Sequence, residues 1–198
     1  MLPKRRMIGL AGAALWLVAI STAFTIVSLA LIGTSAARFA LAGVSIAVII
    51  FLVIGIGVLR AVLRSPNASA RTAEGQVMAR RFKWVVIGEV AAIMIVNGIA
   101  SAMQYFQLIA PLDILIVGIH FFPLASLFRV PRYYWMGGLF CAVTVLTLVL
   151  VPAHAQVGAA DAWLVWPTFG CSLVAWVTAG FNFREVRQSL REHSIVQV

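Results

Sequence analysis

An all-α polytopic membrane protein is what the sequence predicts: a single six-transmembrane-helix bundle over residues 1–198, with both termini cytoplasmic. Three observations lead there. Of the 198 residues, 63% are hydrophobic and 11% charged, and the mean hydropathy is +1.03. A water-soluble domain carries charge at roughly a quarter of its positions. Six apolar runs stand out at 7–32, 39–59, 84–103, 111–128, 133–151 and 162–181. Each is near the roughly 20 residues that a helix needs to cross about 30 Å of hydrocarbon. Finally, with the termini inside, every one of the 15 Lys and Arg residues except Arg38 falls on the cytoplasmic side, as the positive-inside rule requires.

The same numbers exclude other classes. Apolar content is too high for a disordered chain, and two cysteines cannot make a disulfide scaffold. The net charge of +9 is spread over four cytoplasmic edges rather than one face, so it reads as topology and attraction to anionic membrane lipids, with no nucleic-acid partner.

Taken in order, the first run follows Lys4, Arg5 and Arg6. Together with Ser35-Ala36-Ala37 it mimics a signal peptide, but it is about twice the length of a signal's apolar core, so a retained helix is expected. Ala19 and Ala23, and Ala36 and Ala40 at the start of the second run, have the four-residue spacing that lets helices pack closely. The loop 60–83 holds Arg60, Arg64, Arg71, Arg80, Arg81 and Lys83. Ser65-Pro66-Asn67 marks a turn there, followed by a short helix ending at Arg80 and Arg81. Asn67-Ala68-Ser69 matches a glycosylation acceptor but lies in this cytoplasmic loop. Trp84 opens the third run, and Tyr133, Tyr134 and Trp135 the fifth, as interfacial aromatics. Trp163 and Trp166 play that part at the outer edge of the sixth, which Asp161 caps. Beyond it the helix is expected to continue as a charged, solvated stem through Arg184, Glu185, Arg187 and Arg191.

Six acidic residues are few enough to sort one by one. Glu74, Glu185 and Glu192 are in cytoplasmic segments, and Asp113, two residues after Pro111, reads as a helix-start carboxylate. Glu89 alone has no local explanation. It lies about 7 to 8 Å into the third span, where an ionisable group marks a functional hypothesis by default. The same span carries Asn97, Ser101 and Gln104 within about 60° of one another, forming a broad polar face with Glu89. Its plainer reading is an interhelical seam, with Glu89 protonated or paired to Arg80 or Arg81. In the fourth span, His120 lies seven residues after Asp113 on nearly the same face, with Pro123 bending the helix just beyond. Counted from the inner ends of these antiparallel spans, Glu89 is at about 8 Å and His120 at about 13 Å. They meet if the two faces turn together; otherwise His120 is an isolated bundle histidine.

Several chemistries lack their residues. His120 is the one histidine in a span, so no metal site and no haem pair is expected, and no cofactor. Cys141 and Cys171 lie in different spans without redox spacing. Ser172 has neither a nucleophile elbow nor a histidine beside it, so no catalytic residue is assigned.

The segment Gly118-Ile119-His120-Phe121-Phe122-Pro123-Leu124-Ala125, continued by Phe128-Arg129-Val130-Pro131, Tyr133-Tyr134 and Gly137-Gly138, resembles a pattern in small six-span bacterial inner-membrane proteins of unassigned function. The resemblance implies a compact bundle in a bacterial inner membrane, with His120 and Pro123 inside the shared pattern. It implies no activity.

The functional expectation is a membrane protein that transports or binds a small solute or ion, with protonation of Glu89 and His120 as the switch. Asn97, Gln104 and Asp113 would line the outer half of its ligand or proton path. The alternative is a non-transporting membrane subunit that packs against a partner subunit or another copy of itself. A vitamin-binding-type importer component is one form of it, similar in span number and size and in the small residues Ala19 and Ala23. An intramembrane enzyme ranks third, for want of a nucleophile–base or metal constellation.

Overall fold

The computed structural model of the chain describes residues 4–64 and 73–196. Six long helices make up almost all of it: α1 (Lys4–Ile32), α2 (Ser35–Arg64), α3 (Ala73–Ala102), α4 (Ile109–Phe128), α5 (Arg132–Leu150) and α6 (Ala162–Val196). A single 3-10 turn at Phe106–Leu108 precedes α4, and a two-residue hairpin, β1 (Gln156–Val157) and β2 (Ala160–Asp161), links α5 to α6. Helices α2 to α6 are each long and apolar enough to cross a membrane, and α1 contains the apolar stretch Gly9–Ala23. Their outward faces carry large exposed apolar side chains, among them Val53, Met94, Val149 and Leu173. Water would penalise such a surface, whereas hydrocarbon accepts it.

The helices form a curved row in the order α2, α1, α6, α5, α4, α3, with α6 also touching α2 and α4. The core lies along α1, α4, α5 and α6, where Ala14, Val18, Met136, Ala179 and Val186 are buried. Buried hydroxyls bond to carbonyls of their own helix: Thr144 Oγ1 donates to Phe140 and Thr178 Oγ1 to Val174, each about one turn back. This satisfies a polar side chain in an apolar interior without a partner helix. One hydroxyl reaches across instead, and Ser172 Oγ of α6 donates to the Ser21 carbonyl of α1 at 3.0 Å.

Helix α4 meets α5 through glycine. A Cβ on Gly137 would lie 2.6 Å from the Gly118 carbonyl oxygen, so the two backbones touch where no side chain fits. Around this contact Phe121 stacks edge-on against Phe140 and Tyr133, with ring centroids 5.6 and 5.9 Å apart.

Two helix ends share one stop. At the end of α3, Gln104 adopts φ 61°, its amide bonds to the Ser101 carbonyl, and the Tyr105 amide bonds to Ala100. At the end of α4, Arg129 adopts φ 53°, with its amide on Ser126 and the Val130 amide on Ala125. Both are Schellman motifs with a left-handed residue just past the helix, a place usually taken by glycine.

The structure changes several expectations. Residues 73–83 are the first turns of α3 rather than a separate helix ending at Arg80 and Arg81, since Gln76 to Lys83 contains no breaker. Pro111 is in the first turn of α4 but not at its first position, because the helix starts at Ile109. That leaves Asp113 beyond the first turn, outside the region where a carboxylate serves the helix start. Ala19 and Ala23 are exposed, and α1 packs inward through Ala11, Ala14 and Val18 instead. The extension of α6 past Phe181 is no simple solvated stem, because Asn182, Phe183, Val186 and Ser189 are buried along one side of it. Asp161 does cap α6, its Oδ1 accepting from the Trp163 amide at 2.8 Å. The turn at Ser65-Pro66-Asn67, the Asn67 acceptor pattern and Arg71 lie outside the described residues, as do the side chains of Ala36, Arg38 and Ala40.

The glycine contact gives a direct test. Gly137→Ala should cost about 1 to 3 kcal/mol of stability in a detergent-micelle unfolding titration, because the added methyl meets backbone. Gly138→Ala, whose Cβ meets nothing, should be neutral or gain up to about 1 kcal/mol.

Candidate functional site

Helices α3 and α4 run antiparallel, and two polar pairs bridge them. His120 Nδ1 lies 3.3 Å from Glu89 Oε2. Asn97 Nδ2 donates to Asp113 Oδ2 at 3.2 Å. The register explains both: eight residues on α3 and seven on α4 are each about two helical turns, so both pairs fall on one seam. Glu89 is 18% and His120 9% exposed, so the pair is largely shielded. The imidazole also lies close to the backbone of Val85, one turn before Glu89. Phe121 meets the ring edge-on at 6.0 Å from the other side.

The second pair is less complete. Asn97 Oδ1 and Asp113 Oδ1 are buried and have no hydrogen-bond partner in the structure. Two acceptors side by side are best satisfied when Asp113 carries a proton or when a donor or cation enters between the helices.

No polar side chain of α3 or α4 lies between the two pairs. Residues 90–96 of α3 and 114–119 of α4 are apolar without exception, and about 10 to 12 Å of helix separates the pairs. Two cavities lie elsewhere in the bundle, and neither is lined by these four residues. One, of about 190 Å³, lies at the hairpin end beside Gln107, His154 and Asp161. The other, of about 490 Å³, lies between α2 and α6.

Gln104 does not belong to the seam. As the left-handed stop of α3 it leaves the helical screw, and it is exposed. The polar face expected on α3 therefore reduces to Glu89, Asn97 and Ser101. Glu89 pairs with His120 rather than with Arg80 or Arg81, both of which are exposed. Pro123 lies inside α4 and is exposed.

A polar cluster at the opposite interface was not foreseen. Between α5 and α6, Asn182 Nδ2 donates to the Tyr133 hydroxyl at 3.2 Å, with Asn182 wholly buried. Just outside it Arg132 pairs with Glu185. A signal existed: Asn182 stands one residue past the sixth apolar run, and Glu185 follows it at the three-residue spacing that shares a helix face. Among the described residues, no group of three or more His, Cys, Asp and Glu side chains is arranged to hold a metal ion. Cys141 and Cys171 are free thiols.

Comparison of the chain with protein-family models, curated proteins and solved structures finds no match. The site must therefore be interpreted from its own geometry.

In chemical terms, a carboxylic acid and an imidazole 3.3 Å apart can hold one proton on either group, in a neutral or a zwitterionic form. Both forms have zero net charge. Adding or removing one proton leaves a net unit charge between α3 and α4, which apolar surroundings strongly disfavour. The pair thus ties protonation to the packing of these two helices.

The Tyr133 and Asn182 pair makes a separate prediction. Tyr133→Phe should cost about 1 to 3 kcal/mol, because a buried amide donor loses its acceptor. Adding Asn182→Leu should recover most of that loss in the same unfolding titration, since both polar groups are then gone.

Proposed function

We propose that the chain is a multi-pass protein of a bacterial inner membrane, crossing six times with both termini cytoplasmic. Within it, Glu89 and His120 perform the proton-linked step in binding or moving a small solute or ion. The observation that carries this reading is the 3.3 Å pair itself, an acid and a histidine on neighbouring apolar helices. Such groups are costly in hydrocarbon and are retained where they do chemistry. Asn97 and Asp113 form a second station on the same seam, with two acceptor oxygens free for a proton or a small cation. Gln104 drops out of the path. Helix α3 joins the bundle chiefly through α4, so a change in charge at the seam acts on the element least committed to the core.

Distribution of charge supports the topology. At one end of the bundle Phe82 packs on Phe128 and Arg132 pairs with Glu185, and that end carries Arg80, Arg81, Lys83, Arg129 and Arg184. The hairpin end has none of these. Bacterial membranes enter through the resemblance over residues 118–138.

A second reading is favoured by the outer face of α3. Val90, Met94, Ile95 and Ile99 are exposed there, and the space beside Gly88 and Gly98 is open. A non-transporting subunit would use that face to pack against a membrane partner or a second copy. Stoichiometric co-purification of another membrane protein would favour it.

For the first reading, vesicles containing the purified full-length protein should show proton flux under an imposed potential, read by an enclosed pH dye. Glu89→Gln and His120→Ala should each lower that flux about tenfold or more. Equal flux in wild type and both variants removes the proposal. For the topology, a fluorescent protein fused after Val198 should fluoresce, and alkaline phosphatase inserted at Gln156 should be active; the reverse pattern overturns the orientation.

A further inference from the structure

The cleft of about 490 Å³ between α2 and α6 lies away from the α3–α4 seam and has a different chemistry. Its lining divides into two parts. Phe51 and Ile54 of α2, with Gly180 and Phe183 of α6, form an apolar half, and Arg184, Arg187, Gln188 and Arg191 form a polar half. Among the described residues, no acidic side chain lines it. On α6 the positions 180, 184, 187, 188 and 191 fall on one face at helical spacing, so the apolar and cationic halves are continuous along the helix axis.

Two further observations give this cleft an occupant. A Cβ on Gly180 would meet nothing within 4 Å, so the helix surface is notched one turn before the first arginine. Arg184 and Arg187 have no ion-pair partner among the described residues, while the nearby carboxylate of Glu185 is taken by Arg132. Guanidinium groups beside apolar side chains call for an anion, and their planar fork matches phosphate.

We infer that this cleft binds one anionic glycerophospholipid, its headgroup phosphate held by Arg184 and Arg187 and an acyl chain lying in the notch at Gly180 against Phe51 and Ile54. A free phosphate would use the arginines and leave the apolar half empty. A zwitterionic lipid would fill the apolar half but bring its own cation to the arginines. Only an anionic amphiphile satisfies both halves, and basic pockets between membrane helices bind such headgroups. The inference rests on the chain being embedded in a membrane, and it does not depend on the role given to Glu89 and His120.

The test uses delipidated full-length protein in detergent, titrated with phosphatidylglycerol or phosphatidylcholine of identical acyl chains, with bound lipid counted by native mass spectrometry. Wild type should bind phosphatidylglycerol about tenfold more tightly than phosphatidylcholine. In Arg184→Gln/Arg187→Gln the preference should fall to about twofold or less, and Gly180→Leu should weaken phosphatidylglycerol binding several-fold with every charge retained. Arg80→Gln/Arg81→Gln removes the same charge from α3 and should keep the full preference. Three results would overturn the inference: an intact preference in the α6 double variant, an equal loss in the α3 control, or displacement of the lipid by millimolar inorganic phosphate. If the α6 double variant does not fold, as judged by its melting temperature, Gly180→Leu decides by itself, and wild-type binding in that variant rejects the site.

Discussion

The contact between α1 and α6 holds the bundle together. Ala11 and Ala14 on α1, and Ala175 and Ala179 on α6, are all buried in one cluster. Small side chains on both helices allow the backbones to approach, which is how helices associate when their surroundings are as apolar as they are. The Ser172 hydroxyl seals the approach by donating to Ser21, 151 residues earlier in the chain. From this pair α2 attaches on one side, and α5, then α4, then α3 follow on the other. The first and last helices are thus the innermost, and burial falls toward the ends of the row, at α2 and α3.

That gradient sets where chemistry is placed. At the core, several hydroxyls are satisfied locally by a carbonyl one turn back, as at Ser21, Thr144 and Thr178. Other polar groups pair between helices: Tyr133 with Asn182 within the core, and Glu89 with His120 and Asn97 with Asp113 nearer the rim. The seam between α3 and α4 combines ionisable groups with the least anchored helix. The two pairs on it are separate stations with an apolar interval, so any proton or ion passing between them needs water or a movement of α3. The arginine-lined cleft sits at the other flank, where α2 leaves α6 partly uncovered.

Much of the site was legible from counting alone. Helical rise from the ends of two neighbouring apolar runs brings Glu89 and His120 to similar depths, and the 3.3 Å separation follows once the faces align. Gln104 illustrates the opposite case. Periodicity extends α3 through it, yet the helix ends in a left-handed residue, and glutamine carries no mark of that conformation. Asp113 was read as serving the helix start because Pro111 precedes it, but the 3-10 turn at Phe106–Leu108 moves that start earlier and frees the carboxylate for Asn97. Tyr133 looked like an interfacial aromatic, and only the approach of α6 makes its hydroxyl an acceptor for Asn182.

The sequence by itself determined that the chain is helical and apolar, because backbone amides in hydrocarbon must be satisfied within their own segment and the composition leaves no other solvent. It also determined which ionisable residues are exceptional, because charge is scarce enough to sort by hand. Tertiary structure decided the order of helices around the core, the glycine contact between Gly118 and Gly137, and the interhelical partners of Glu89, Asn97, Ser172 and Asn182. Those depend on azimuth and close approach between segments far apart in the chain. Hydrophobicity in an all-apolar helix says nothing of either, since every face is equally greasy and only steric fit selects the one that packs.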